Sequence, residues 1–383
     1  MPQNHDTKNF LSSEDAVALR LRERLARFPW GLLFLLTVTA SIGFIVLSSA
    51  VGKHNMGMLI SQALRFGFSL VFMVVLALAN EKVYRRYAYL VYGLILVMLI
   101  AVAVIGDVGM GARRWLEIGV VRLQPSELMK VAIVLALARY FHDQSVATLR
   151  LRDVLIPLGM TAIPLALIVH QPDLGTAVVV AIISGAVIFV AGLSWHAILA
   201  MALLIPASLP LLWNLLHDYQ KRRVVTLFFP EDDPLGAGYH IIQSKIAVGS
   251  GGLTGKGFMG GSQSHLDFLP ERHTDFIFSV LAEEWGFLGT MVLIVVYGMI
   301  TLRGITVAAL ARDRFGLLLA SGLLSLFVFQ VVINIGMVIG LLPVVGIPLP
   351  LVSYGGSSMI TVMLAMGLLA HVSIHSKQHG RAV

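Results

Sequence analysis

Apolar runs long enough to cross a bilayer follow one another along most of this chain, and that decides what it can fold into. The runs show neither the alternation of a half-buried strand nor the one-sided periodicity of a water-facing helix. They are stable as helices in lipid, where a span needs about 20 residues and must satisfy its own backbone polar groups. Composition agrees. The 383 residues are 57% hydrophobic and 13% charged, against about a quarter charged in an ordinary soluble domain. The expected fold class is an all-α polytopic membrane protein.

Ten spans are expected, at residues 30–47, 59–79, 88–105, 127–141, 154–169, 174–193, 197–216, 276–302, 317–341 and 358–374. The fourth is short, and either extends back through Leu123 or packs where the membrane is thinned. The domain organisation follows: a basic cytoplasmic N-terminal tail over 1–29, a transmembrane domain over 30–375, and a cytoplasmic C-terminal tail over 376–383. One large outer loop, 217–275, separates the seventh and eighth spans. The tail before residue 30 has no small-residue cleavage site, so the first run is expected to stay as a span. Lys and Arg favour the cytoplasmic side. Arg22, Arg24, Arg27, Arg85, Arg86, Arg312 and Arg314 fall there when both termini are inside. Other Lys and Arg join them on that side, and nearly all of those in the outer loops gather in two segments that also carry unusual motifs, a pattern suited to binding an anion.

Several functions are disfavoured. Cysteine is absent, so there is no thiolate nucleophile and no cysteine metal site. The histidines lack metal-ligand spacing. No Walker-type loop is present, which argues against ATP-driven transport. The basic tail suits an anionic inner leaflet and needs no nucleic acid.

Asp275 falls where the outer loop meets the eighth span. It or Thr274 can cap the helix. Asp275 can also act as a general base, taking a proton from an attacking hydroxyl, and burial would raise its pKa toward a useful range. The two roles are compatible. The glycine-rich run 249–261 either forms flexible turns or lets backbone N–H groups approach a phosphate, with Lys245 and Lys256 adding charge. A second outer cluster holds Arg113, Arg114 and Trp115, then Gln124-Pro125-Ser126-Glu127-Leu128-Met129-Lys130. Glu127 and Lys130 share a helix face; they form an ion pair or face a substrate. Ser126 is a candidate N-cap.

Glu283 and Glu284 would lie roughly 12–14 Å beyond Asp275 along a continuous helix. Two acids at that depth are costly, so one is expected to pair with Lys130 or Arg65, the alternative being a proton or cation path. Asp173 reads as the N-cap of the sixth span. The run 349–358, Leu-Pro-Leu-Val-Ser-Tyr-Gly-Gly-Ser-Ser, is irregular backbone at membrane depth, which must be buried or line a cavity. Tyr354 could stack on a sugar and Ser353, Ser357 and Ser358 hydrogen-bond one, or the segment is a folded plug.

GARRW, QPSELMK, QPDLGTA, GYHIIQSKIAVGSGG, LPERHTDFIF and PVVGIPLPLVSYGGSS occur in this order. Together they resemble the SEDS family (shape, elongation, division and sporulation proteins) from about Trp30 to His375. LPERHTD and PVVGIPLP look like the elongation branch rather than the division branch. His240, where Gln often follows Gly-Tyr, is a mild variation.

The resemblance implies a peptidoglycan glycosyltransferase of the bacterial cytoplasmic membrane that polymerises lipid II during cell-wall elongation. It implies a class B penicillin-binding protein as partner, supplying the transpeptidase. The family's essential aspartate falls on Asp275. The implied transfer inverts: Asp275 deprotonates the 4-hydroxyl of the acceptor's GlcNAc, that oxygen attacks C1 of the donor's MurNAc, and polyprenyl diphosphate leaves. Arg113, Arg114, Lys130, Lys245, Lys256 and Arg272 are candidates for binding the substrate's anionic groups, with Ser353 and Tyr354 for its sugar. Glu127, Asp173, Glu283 and Glu284 are expected to be structural or coupling. No metal site is expected within the protein; a divalent cation, Mg or Mn, could share the leaving-group charge. Two rivals fit the same spans. A flippase would need polar access from both faces, whereas the polar motifs crowd one. A non-catalytic scaffold would tolerate Asp275→Asn.

Overall fold

The computed structural model describes residues 22–52, 56–109, 112–118, 121–144, 149, 151–215, 218–233, 236–265 and 271–376. Both outermost tails and residues 53–55 and 266–270 fall outside it. Each predicted run is helical: α1 (Trp30–Val51), α2 (Met56–Leu78), α3 (Glu81–Ile105), α4 (Pro125–Asp143), α5 (Leu155–His170), α6 (Leu174–Val190) and α7 (Trp195–Leu215). Beyond the polar segment with α8 (Asp218–Phe228), α9 (Ala237–Ser250) and α10 (Ser262–His265) come α11 (Ile277–Ala309), α12 (Arg314–Val338) and α13 (Gly356–Ile374). Among the described residues, seven helices are long and apolar enough to cross a membrane. Large apolar side chains point outward from them: Phe34 is 67% exposed and Leu64 and Val104 are each 70% exposed. Such a surface is a liability in water and is satisfied by lipid. The chain is a multi-pass membrane protein.

The core is built by α4, α12 and α13. Met129 to Ala138 of α4 are buried on every side, between α3, α6 and α12. This accounts for the short fourth run. The helix extends to Pro125, at the first helical position where a missing N–H costs nothing. Helix α13 packs along α2, and α11 along α1 and α12.

Three expectations need correction. The fold is not strictly all-α: Asp107–Gly109, Ala112–Ile118 and Val121–Leu123 form an antiparallel sheet, β1-β2-β3. Trp115 and Ile118 favour extended backbone, and pairing satisfies polar groups between α3 and α4 that no helix satisfies. The segment 217–275, expected as a loop, carries the helices α8, α9 and α10. Helix α11 is not continuous, for Gly286 breaks it at φ 64°, ψ −161°. Residues 277–284 are buried, whereas Phe287 and Leu288 beyond the break are more than half exposed. The first piece is therefore a buried half-helix, and residues 287–309, about 34 Å of helix, remain to cross the bilayer.

Candidate active site at the start of the broken helix

Asp275 lies in the turn 271–276 that leads into α11. Thr274 Oγ1 donates to Glu271 Oε2 at 2.9 Å, and Phe276 N donates to Glu271 O at 3.3 Å. The N-cap is Phe276, and no side chain caps the helix. Neither Thr274 nor Asp275 does so, and Asp275's carboxyl is not committed to a cap. Its main chain is pinned from the opposite side. Asn334 Nδ2, fully buried in α12, donates to Asp275 O at 2.9 Å and to Ile347 O at 2.7 Å. Ser353 Oγ donates to Thr274 O and accepts from Leu349 N at 2.8 Å. Tyr354 N donates to His273 O at 2.9 Å. The segment 343–355, buried from Leu349 to Ser353, is thus a plug holding the Asp275 turn. A Cβ on Gly346 (φ 74°) would stand 3.3 Å from Asp275 Oδ2, so glycine leaves room beside the carboxyl.

Desolvation and the negative charge of Glu271 push Asp275 up to about 6, against the pull of Arg223 and Arg114. A carboxyl so tuned is ionised near neutral pH yet basic enough to take a proton. His240 stacks on Phe276 with ring centroids 5.7 Å apart, and burial lowers its pKa despite Glu271 and Asp233.

The second cluster fastens β2 and α4 to the start of α6. Arg114 donates from Nε to Gln171 O at 3.2 Å and from Nη2 to Pro172 O. Asp173 caps α6 through Thr176 N. Its Oδ2 also accepts from Gln124 Nε2 at 3.0 Å and Ser126 Oγ at 3.2 Å. Ser126 is therefore not the N-cap of α4; Gln124 holds that place, and Ser126 ties α4 to α6. Lys130 Nζ donates to Glu127 Oε1 at 2.7 Å with both side chains almost fully enclosed.

The acids of α11 find other partners than Lys130 or Arg65. Glu283 Oε1 accepts from Lys256 Nζ at 2.7 Å, Gln263 N at 3.0 Å and Ser262 Oγ at 3.2 Å. Glu284 accepts from Ser49 Oγ of α1. The glycine-rich run docks on the break rather than forming free turns. Lys256 N and Gly257 N donate to Glu283 O and Glu284 O, while Phe287 N and Leu288 N donate to Gly252 O and Leu253 O. A Cβ at Gly255 would fall 2.1 Å from Glu284 O. These glycines bring backbone against backbone, and Lys256 is engaged with Glu283. Arg272 donates from Nε to Ala50 O at 2.8 Å, near the end of α1 where a cation is favoured. Lys245 is exposed on α9, and Arg113 lies in β2 opposite Val108. Leu269 and Pro270 of the Asp275 motif lie outside the described residues.

The family model for cell cycle proteins of the FtsW, RodA and SpoVE type matches residues 26–378. This chain belongs to that family. The peptidoglycan glycosyltransferase MrdB of Escherichia coli (strain K12) is 45% identical over 93% of this chain and 95% of its own length. The peptidoglycan glycosyltransferase RodA of Treponema pallidum is 32% identical over 92% and 98%. A structure of a peptidoglycan synthase complex that coordinates polymerisation and crosslinking superposes with TM-score 0.77 at 37% identity, covering 90% of this chain and 97% of that one. The crystal structure of Thermus thermophilus RodA gives TM-score 0.67 at 32% identity, covering 91% and 96%.

In this FtsW/RodA/SpoVE family member, Asn334, Gly346 and Glu271 also shape the site and were not singled out from sequence, while Arg223, one of the cations expected to face an anion, acts electrostatically on Asp275. Asn334 had a usable signal, since an amide inside an apolar run is costly unless something accepts from it. Among the described residues, no three His, Asp or Glu side chains gather as a metal site.

Proposed function

We propose that Asp275 is the general base with which this chain, a peptidoglycan glycosyltransferase, polymerises lipid II. The observation that supports it most directly is the carboxyl at the start of α11. It is uncommitted to capping, pinned through its main chain by Asn334, and raised to about 6. Asp275 takes the proton from the acceptor's GlcNAc 4-hydroxyl. That oxygen attacks C1 of the donor's MurNAc with inversion, the C1–oxygen bond to the diphosphate breaks, and polyprenyl diphosphate leaves with the electron pair. Arg114 and Arg223 bear electrostatically on the carboxyl and are placed to stabilise charge on the leaving group. Holding both lipid-linked substrates in one bilayer plane removes much of the entropy of bringing them together. If a divalent cation (Mg or Mn) takes part, the substrate's own diphosphate oxygens are its main ligands.

The topology belongs to the same reading: ten spans, both termini in the cytoplasm, and the α8–α10 segment with Asp275 on the outer side of the bacterial cytoplasmic membrane. The partner is a class B penicillin-binding protein that crosslinks the strands, and the pair serves cell-wall elongation. The decisive measurement is glycan-strand formation from labelled lipid II by the purified chain, with and without that partner. Wild type forms polymer and Asp275→Asn, folded and with unchanged Tm, forms none. Polymer from both would remove Asp275 as base. Polymer from neither, with partner present, would favour a flippase or scaffold.

A further inference from the structure

We propose that Arg65 of α2, Ser357 and the N-terminus of α13 form a binding site for the phosphate groups of a lipid-linked substrate, beside the Asp275 turn.

Arg65 lies nine residues into α2, roughly 13 Å along the helix from Met56. Its neighbours Leu64 and Phe68 face lipid, at 70% and 58% exposed, whereas Gln62 and Ser69 are buried. Arg65 therefore stands half-buried on the seam between lipid and protein. A guanidinium at such depth is costly unless an anion meets it, and no carboxylate among the described residues pairs with it. Instead it lies over the Tyr354 ring, 5.1 Å from the centroid. It also crowds the start of α13: a Cβ on Gly356 would stand 3.1 Å from Arg65 Nε and 3.2 Å from Cζ.

That helix start is itself electropositive. Its N-cap is Gly355, and no side chain caps it. Two positive features pressed together repel, so the arrangement is favourable with an anion between them. An independent observation points the same way. Ser357, the second residue of α13, is 7% exposed, and its hydroxyl has no partner among the described residues. A buried donor left unmade is destabilising unless a ligand takes it. A phosphate fits: the uncapped N–H groups and the Ser357 hydroxyl donate, Arg65 supplies charge, and Gly355 and Gly356 leave the backbone open to close approach. The lipid-exposed flank of α2 lets a polyprenyl chain lie outside while its diphosphate reaches in. Tyr354 N, bonded to His273 O, sets the site next to the reaction centre, and the assignment rests on that reading of Asp275.

The test uses the purified full chain in phosphatidylcholine nanodiscs, titrated with undecaprenyl diphosphate and separately with phosphatidylglycerol. Wild type binds the diphosphate in preference to phosphatidylglycerol. Arg65→Gln weakens that binding at least about tenfold, as loss of a charge-assisted contact predicts, and Ser357→Ala weakens it several-fold. Arg65→Lys retains most of it, and Tm stays unchanged in all three. In polymerisation these variants raise KM more than they lower kcat. Asp275→Asn binds the diphosphate like wild type while making no polymer, so failure of the base and failure of this site are told apart. Undiminished binding in Arg65→Gln and Ser357→Ala would overturn the proposal. Equal affinity for phosphatidylglycerol would assign the site to a bilayer lipid and overturn the substrate assignment. Weakening confined to variants with a lowered Tm would make Arg65 a structural clamp on Tyr354.

Discussion

At Asp275 neighbouring charges pull in opposite directions. Desolvation and Glu271 raise its pKa, Arg223 and Arg114 lower it, and the balance stands at about 6. A base must be ionised to accept a proton, so the rate rises with pH through about 6 and levels off above it. Glu271→Gln removes a charge that raises the value while keeping an acceptor for Thr274, so the rising limb moves to lower pH. Profiles of kcat against pH for both proteins check this; an unmoved limb would assign it to another group. Lys130 raises a different question, since its ammonium is held by Glu127 inside the protein. Lys130→Met strands a buried carboxylate and costs about 3–5 kcal/mol, whereas replacing both partners by apolar residues recovers most of that. Denaturant unfolding of the single variant and of Glu127→Leu/Lys130→Met measures the difference. A double variant that folds but makes no polymer would give Lys130 a role toward substrate.

Among elements, the broken α11 carries the most consequence. A break leaves carbonyls on one side and N–H groups on the other without helical partners, which is costly at membrane depth. The glycine-rich run supplies both sets, and Lys256 adds a cation beside the carbonyl end of the half-helix. Gly286→Ala places a side chain at φ 64° and a Cβ 2.4 Å from Gly255 N. The expected loss is about 2 kcal/mol or more, read as a fall in Tm. Gly298→Ala is the control, because a Cβ there meets nothing within 4 Å. An unchanged Tm in Gly286→Ala would mean that the break is not held by this docking. The sheet β1-β2-β3 acts similarly at smaller size, presenting Arg114 to the carbonyls of Gln171 and Pro172.

For the whole molecule, sidedness is the prediction that ties fold to function. The chain has no cysteine, so single replacements report their own location. Thr254→Cys is expected to react with an impermeant maleimide on intact cells, and Arg312→Cys only after permeabilisation; the opposite pattern would put Asp275 on the cytoplasmic face and sink the proposed topology. The helix positions were legible in advance because bilayer thickness turns membrane spanning into a property of run length along one dimension. Asp173 as a cap was legible for a similar reason: its partner Thr176 lies within one turn, and local spacing alone brings the groups together. The Glu127–Lys130 pair, left open against a substrate role, also lies within one turn. The partners of Glu283 and Glu284 were not legible, and Lys130 or Arg65 was the wrong expectation. Lys256 and Ser49 reach them only because α11 breaks at Gly286 and packs on α1. Nor did the motif containing Asp275 reveal Asn334, which pins it from another helix. Sequence by itself determined where helices run and which acid begins α11, because hydrophobic length and short-range spacing act within a segment. Which charges meet, and what holds Asp275 in place, was decided by packing between segments distant along the chain, where geometry and not proximity in sequence selects the partner.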